Sequence, residues 1–270
     1  MRRYAVLAAT AVLVLAAFLA RAKENIVIEG STTVFPIAQK TAEEYMKKNP
    51  DVSISVRGGG SGVGIASLID GAVQIGASSR YIKTGEIARA QSKGVNPKGT
   101  IVAMDGLAVI VNPANSVSGL TRAQVKDIYT GKVSDWKQVG GTPGKITVVS
   151  RDTSSGTYEA FGELVLQKQK VRPDALLQAS NQAVAELVAK TPTAIGYVGL
   201  GYISARVKAL AIDGVIPSAE TVLANKYPVS RPLFMYTNGA PTGAVKAYLD
   251  FVLSPAGQKL VAEIGFVPLK

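Results

Sequence analysis

The sequence predicts an α/β protein of two lobes, each a central β-sheet flanked by helices, joined by two hinge crossovers. Three observations predict it. Strand-length segments, apolar or strictly alternating, are repeatedly followed by a Gly/Ser/Thr cluster and then a helical pattern, the alternation that builds parallel strands with helices on their faces. The chain is 270 residues long, enough for two domains of ordinary size. Two strand segments, residues 107–111 and 233–236, stand where a chain that leaves the first lobe and returns to it has to cross.

The first 22 residues read as an export signal. Arg2 and Arg3 precede an apolar run, residues 4–20, broken only by Thr10, and Ala20-Arg21-Ala22 places small residues at a cleavage site. The run is shorter than the roughly 20 apolar residues of a spanning helix. No Cys follows it, which excludes a lipid-anchored form. A cleaved signal peptide over 1–22 and a periplasmic location are expected.

Asn25-Ile26-Val27-Ile28-Glu29 is β-rich and runs into Gly30-Ser31-Thr32-Thr33. Val34, Ile37, Ala38, Thr41, Ala42 and Tyr45 then recur at helical spacing, and Asn49-Pro50 stops the helix. Residues 51–57 alternate as a strand does. Gly58-Gly59-Gly60-Ser61-Gly62 follows, then a short helix over 65–69. A third strand, 73–77, ends at Ser78-Ser79-Arg80, and a polar helix covers about 85–93. Residues 107–111 are a fully apolar strand closed by Asn112-Pro113. A helix over 120–129, a turn-rich stretch around Trp136 and a strand over 145–149 lead to the cluster Ser150-Arg151-Asp152-Thr153-Ser154-Ser155-Gly156-Thr157. Helices over 158–167 and 181–189, a strand over 193–198, a β segment over 231–236 and amphipathic helices over 243–253 and 256–264 complete the chain. The expected lobes are 23–111 with 230–270, and 112–229.

Composition narrows the chemistry. The chain has no Cys and no His. It therefore has no disulfide framework, thiolate nucleophile, zinc ribbon or iron–sulfur cluster, and no Ser-His-Asp triad or His-ligated metal. Lys and Arg outnumber Asp and Glu by 30 to 19, a net charge of +11, three of those positive charges lying in the export signal. The basic residues are scattered, without the stripe and interleaved aromatics of a nucleic-acid groove, so an anion-tolerant surface is expected and no nucleic acid. No carboxylate cluster suggests a metal, and neither metal nor cofactor is expected.

Three loops share one grammar, a strand, then a hydroxyl and glycine cluster, then a helix: Gly30-Ser31-Thr32-Thr33, Gly59-Gly60-Ser61-Gly62 and Ser154-Ser155-Gly156-Thr157. A helix's first turn leaves N–H groups unpartnered at the positive end of its dipole. Glycine admits close approach and hydroxyls add donors, so such ends bind oxyanions. Taken singly, each loop is also what a plain N-cap looks like. The third carries Arg151, whose planar fork suits a tetrahedral oxyanion. In parallel sheets these loops gather at the carboxyl ends of the strands, where ligands bind.

These residues carry a resemblance. Residues 30–36 (Gly-Ser-Thr-Thr-Val-Phe-Pro), 58–64 (Gly-Gly-Gly-Ser-Gly-Val-Gly), 105–113 (Asp-Gly-Leu-Ala-Val-Ile-Val-Asn-Pro), 151–157 (Arg-Asp-Thr-Ser-Ser-Gly-Thr) and 195–198 (Ile-Gly-Tyr-Val) occur in an order and spacing that resembles the periplasmic phosphate-binding proteins of ABC-type phosphate importers. The resemblance implies a type II periplasmic binding fold closing over one dehydrated phosphate, with a membrane permease pair and a cytoplasmic ATPase as partners and a monomeric receptor. Carried over by position, it implies phosphate contacts from Ser31, Thr32 and Thr33, from Ser61, and from Arg151, Ser155, Gly156 and Thr157, with Gly60 beside them. Many members carry Asp after Gly-Ala-Ser at the third strand's end, where it accepts the proton of phosphate. Ser79 stands there in this chain, so Asp105 or Asp152 is expected to supply the carboxylate, or discrimination against sulfate to be weaker. Arg80 is a candidate second cation.

Other readings are weaker. Ser134-Asp135-Trp136-Lys137 and Lys83-Thr84-Gly85 match two motifs of penicillin-binding enzymes, but in reversed order and without the third. No phosphate-binding P-loop is present. A binder of sulfate, molybdate or tungstate, a phosphate-cleaving enzyme, and an adhesion or sensing protein use the same scaffold. Trp136, Tyr197 and Tyr202 are expected to pack the lobes.

Overall fold

A computed structural model describes residues 23–269; the expected signal peptide, 1–22, lies outside them. The first half of the fold runs β1 (Glu24–Gly30), α1 (Phe35–Lys48), β2 (Val52–Arg57), α2 (Ser61–Ile69), β3 (Ile75–Ser78), α3 (Thr84–Ser92) and β4 (Pro97–Val111). The second runs β5 (Gly119–Leu120), α4 (Arg122–Thr130), a 3₁₀ turn at Trp136–Val139, β6 (Thr147–Arg151), α5 (Gly156–Leu164), β7 (Leu176–Gln178), α6 (Asn181–Lys190), β8 (Ala194–Gly199), a 3₁₀ turn at Leu200–Tyr202, β9 (Lys208–Ala209), β10 (Ala211–Ile212) and α7 (Ala219–Leu223). The chain returns through β11 (Ser230–Asn238) and ends in α8 (Gly243–Leu253) and α9 (Pro255–Glu263).

The strands lie in the order β2-β1-β3-β11-β4-β8-β6-β7, with β9 also on β4 and β5 paired with β10 apart from them. The expected parallel pairing holds within each half: β1 with β2 and β3, β6 with β7 and β8. The middle is antiparallel, β11 against β3 and β4, and β4 against β8. That follows from the path, because an outgoing and a returning strand side by side must run in opposite directions.

The 15-residue β4 is the element the sequence shows least well. Its first ten residues pair with β11, from Pro97 opposite Asn238 to Gly106 opposite Ser230. Leu107 to Val111 pair instead with β8, opposite Gly199 to Ile195. One strand thus serves both halves, and its partner changes between Gly106 and Leu107. The sequence reading finds only its last five residues, because Pro97, Gly99, Asp105 and Gly106 interrupt the apolar pattern. A register shift opposite Leu233/Phe234 marks a bulge, which bends a strand and increases its twist.

Each half has its own core. In the first, Ile26 and Ile28 of β1, Ile37, Ala38 and Tyr45 of α1, Leu233 and Met235 of β11, and Tyr248 and Val252 of α8 form one cluster. Helix α1 turns Ile37, Ala38, Thr41, Ala42 and Tyr45 inward, the stripe its 3.6-residue period predicts. Pro36 fits its first turn because no N–H is needed there. In the second half, Tyr129, Trp136, Phe161 and Tyr197 pack with Leu107, Val109 and Val111. The Phe161 and Tyr197 rings stack at 3.9 Å. Burying each such side chain stabilises by about 1.5–3 kcal/mol. Glycine lets the strand ends and helices come close: a Cβ on Gly30 (φ +136°) would stand 2.3 Å from the Ala77 carbonyl oxygen, and one on Gly64 2.3 Å from that of Glu29.

Candidate functional site

The carboxyl ends of β1, β3, β6 and β7 each run into a short loop and then a helix. Two of the expected serines cap those turns. Ser31 Oγ accepts from the N–H groups of Thr33 (3.2 Å) and Val34 (3.3 Å), and Ser155 Oγ from those of Thr157 (3.1 Å) and Tyr158 (3.2 Å). Each oxygen has then used its acceptor capacity and keeps its own proton to donate. Capping and ligand donation are compatible in the same hydroxyl.

The loops of the two halves meet. Thr33 Oγ1 and Thr157 Oγ1 are 2.9 Å apart, both buried. The Gly62 N–H donates to the Ser154 carbonyl oxygen at 3.0 Å, and Ser154 Oγ lies 3.2 Å from that of Gly59. Ser61 Oγ accepts the Ser79 N–H at 3.0 Å and lies 3.3 Å from Ser79 Oγ. Gly156 sits against this pair so closely that a Cβ there would stand 2.2 Å from Ser61 Oγ and 2.8 Å from Ser79 Oγ. Gly60 is as tightly placed, its Cβ position 2.7 Å from the Ser154 carbonyl oxygen. Asn181, fully buried at the start of α6, donates to Thr32 Oγ1 (3.1 Å) and Thr33 Oγ1 (3.0 Å). Its Oδ1 accepts the Gly199 N–H at 3.2 Å, which fixes the amide's orientation.

Two buried guanidinium groups supply the positive charge. Arg151 is 1% exposed; Nε and Nη2 donate to the carbonyl oxygens of Gln178 and Ala179 at 2.9 Å each, while Nη1 has no hydrogen-bond partner. Burial pulls this guanidinium below its ordinary range, Asp152 pushes it back up, and Arg231 pulls it down again. It starts so far above neutrality that it keeps its charge. Arg231 pairs with Asp105 through Nη2 (3.0 Å) and Nε (3.2 Å). It also donates to Thr157 Oγ1 (3.0 Å), Gly156 O (3.2 Å) and Thr33 Oγ1 (3.3 Å). Burial raises the Asp105 carboxyl above the usual carboxylate range, opposed by Arg231 and by the Leu200 N–H, 3.0 Å away. Asp105 thus neutralises Arg231, whereas Arg151 has only the partly exposed Asp152, 3.9 Å away. A buried donor without an acceptor costs free energy. An oxyanion placed against Arg151 would supply both the acceptor and the counter-charge.

Most residues singled out from the sequence therefore lie in one interlobe cluster: Ser31, Thr32, Thr33, Gly60, Ser61, Ser79, Ser155, Gly156 and Thr157. Three acidic or basic candidates are engaged elsewhere. The Arg80 fork is bidentate on Glu86 (2.7 and 2.8 Å), and its Nε faces Glu159 at 2.8 Å. Asp152 Oδ1 accepts from the backbone and hydroxyl of Ser154. Asp105 is held by Arg231. Trp136 and Tyr197 are core residues, 2% and 0% exposed. Tyr197 also supports the site: its hydroxyl, pushed up to about 12 mainly by burial, accepts the Arg151 N–H at 3.2 Å and lies 2.9 Å from Ser150 Oγ. Tyr202 donates to the Thr32 carbonyl oxygen at 2.5 Å. The sequence reading misses Asn181 and Arg231. Ser180-Asn181 repeats the hydroxyl-before-helix grammar after the three-residue β7 and was legible in that sense. Arg231 opens a strand with no motif around it.

Among the described residues no group of His, Cys, Asp and Glu is placed to hold a metal. No helix there is long and apolar enough to cross a membrane.

Residues 18–256 match the model of the PBP superfamily domain. The phosphate-binding protein PstS of Bacillus subtilis is 36% identical over 254 residues, covering 92% of this chain and 82% of that protein. Among solved structures, a phosphate ABC transporter substrate-binding protein with bound phosphate from Clostridium perfringens aligns with a TM-score of 0.86 at 36% identity, over 92% of this chain and all of that one. An ABC-type phosphate transport receptor from Vibrio cholerae aligns at 0.74 and 34% identity, over 90% of this chain and all of that one. With its two-lobed α/β architecture, this chain belongs to the PBP superfamily and, within it, to the PstS family of phosphate-binding proteins.

Proposed function

We propose that this chain captures inorganic phosphate between its lobes and delivers it to an ABC importer, a permease pair driven by a cytoplasmic ATPase. The observation that carries the reading is the buried Arg151, with one N–H unpartnered, in a cluster of hydroxyls drawn from both halves of the fold. Arg151 forms the ionic pair with phosphate. Thr32, Thr33 and Ser61 donate from the first lobe, with Ser31, Gly60 and Ser79 shaping that wall; Ser155, Gly156 and Thr157 donate from the second. The expected boundary at 111 moves to 106, because Leu107 to Val111 pair with β8 and pack in the second core; the lobes are then 23–106 with 230–270, and 107–229, and the adjacent crossings of β4 and β11 are the hinge. Phosphate bridging both walls stabilises the closed state through contacts the open state lacks. The protein acts as a periplasmic monomer exported by its cleaved leader, and its role is binding without catalysis.

Selectivity is the point at which this chain departs from the pattern that its sequence resemblance implies. Ser79 does not repel sulfate as a carboxylate does. Asp105 and Asp152 are committed to Arg231 and Ser154. We infer weaker discrimination against sulfate.

Titration calorimetry with phosphate tests the assignment. The parent protein should bind, and Arg151→Ala should weaken binding roughly ten- to a hundredfold, the equivalent of about 1.5–3 kcal/mol for a charge-assisted bond. Equal affinity in the variant and the parent rejects the site.

A further inference from the structure

Outside the anion cluster, one group of charges spans the lobes. Glu159 lies in the first turn of α5, the helix whose start carries Ser155, Gly156 and Thr157. Its Oε2 is 2.8 Å from Arg80 Nε and 2.9 Å from Lys83 Nζ. Both cations belong to the connection between β3 and α3, on the opposite half of the sheet. Arg80 is prepared for this contact. Glu86 caps α3 by accepting the Lys83 N–H at 2.9 Å and grips both Nη atoms of Arg80, while Nε, which has no hydrogen-bond partner, lies beside the Glu159 carboxylate as an ion-pair contact. The carboxylate is 17% exposed and the Arg80 side chain 7%. A cavity of about 400 Å³ runs alongside, lined by Ser79, Arg80, Lys83, Glu159, Glu163 and Arg231 among others, and lets water and salt reach the group.

We propose that Glu159 is a closing latch: its carboxylate, clamped by Arg80 and Lys83 of the facing lobe, holds the lobes together over the bound anion and sets how slowly that anion leaves. The charges balance, two cations to two carboxylates, when the lobes are together. When they part, Arg80 keeps Glu86 while Glu159 and Lys83 return to water, so opening strands no buried charge. That is the behaviour of a latch that releases readily, unlike a buried pair whose separation is prohibitive. Because Glu159 sits one turn from the anion cluster on a rigid helix, the latch engages only as Thr157 approaches Thr33.

The ligand used in the test rests on the phosphate reading; the lobe closure does not. In stopped-flow measurements Glu159→Gln should release phosphate about tenfold faster with association within twofold of the parent. Lys83→Ala, at an exposed position that does not endanger folding, should show a smaller change in the same direction. Raising salt should narrow the gap between parent and variants. Parental release rates in both variants, or a loss confined to association, overturn the latch. A parent that fails to bind phosphate overturns the ligand reading instead. The latch is then decided by small-angle scattering of the ligand-free proteins at low salt, where Glu159→Gln should be more extended than the parent and equal dimensions refute it.

Discussion

Replacing Arg231 with methionine removes the partner of a fully buried carboxylate while preserving most of the side chain's bulk. Asp105 then keeps one polar contact, the Leu200 N–H at 3.0 Å, and loses both guanidinium bonds. Breaking a buried ion pair from one side costs about 3–5 kcal/mol, because the remaining charge is stranded. For a chain of this size, a melting midpoint roughly 6–20 °C lower follows from about 2–4 °C per kcal/mol. The assay is urea and thermal unfolding in phosphate-free buffer. Two controls identify the cause. Asp105→Asn added to Arg231→Met should recover much of the loss, giving a favourable coupling energy in the double-mutant cycle. The pH dependence has a definite sign. The Asp105 carboxyl already lies above its unfolded value, and losing Arg231 raises it further. As pH falls through that raised value, the folded protein takes up a proton before the unfolded chain does, so the penalty of Arg231→Met should shrink at acid pH and be largest near neutrality. If the single and double variants are equally unstable, or the penalty grows on acidification, the stranded charge is not the cause.

Two further outcomes are expected. Gly156→Ala sets a methyl group where Ser61 and Ser79 already stand at 2.2 and 2.8 Å; it should weaken phosphate binding by at least tenfold in calorimetry, since the clash arises where the lobes meet, and parental affinity would show that they do not meet there around the ligand. Sulfate in large excess should measurably lower the apparent phosphate affinity, because Ser79 accepts a bond without repelling a dianion; no change on adding sulfate would show that another group provides the discrimination.

Much of the site was legible because its chemistry is local. Ser31, Ser155, Gly60 and Gly156 stand where a strand ends and a helix begins, and the pattern that announces the helix start also announces unpartnered N–H groups. Arg151 was legible as the cation within that pattern. Arg80 fits the same logic and is engaged differently: its neighbours Glu86 and Glu159 lie 6 and 79 residues away, and only folding shows that Glu86 occupies its Nη donors and that Glu159 pairs with its charge. Asn181 and Arg231 were missed because their value lies in what they reach. Arg231 touches Asp105, Gly156, Thr33 and Thr157 at once, and no spacing in the chain encodes that meeting.

By itself the sequence determined the class of fold, the two lobes and the three hydroxyl-rich turns and, through the absence of His and Cys, left hydroxyls, amides and arginine as the groups of a candidate anion site. Periodicity and capping report on a residue and its immediate neighbours along the chain, and those properties are local. Only the tertiary structure decided that β4 is a single strand shared by both halves, that Asp105 belongs to Arg231, and that Arg80 faces Glu159. Which charge neutralises which depends on distances between segments far apart in sequence, and those distances exist only once the strands have paired.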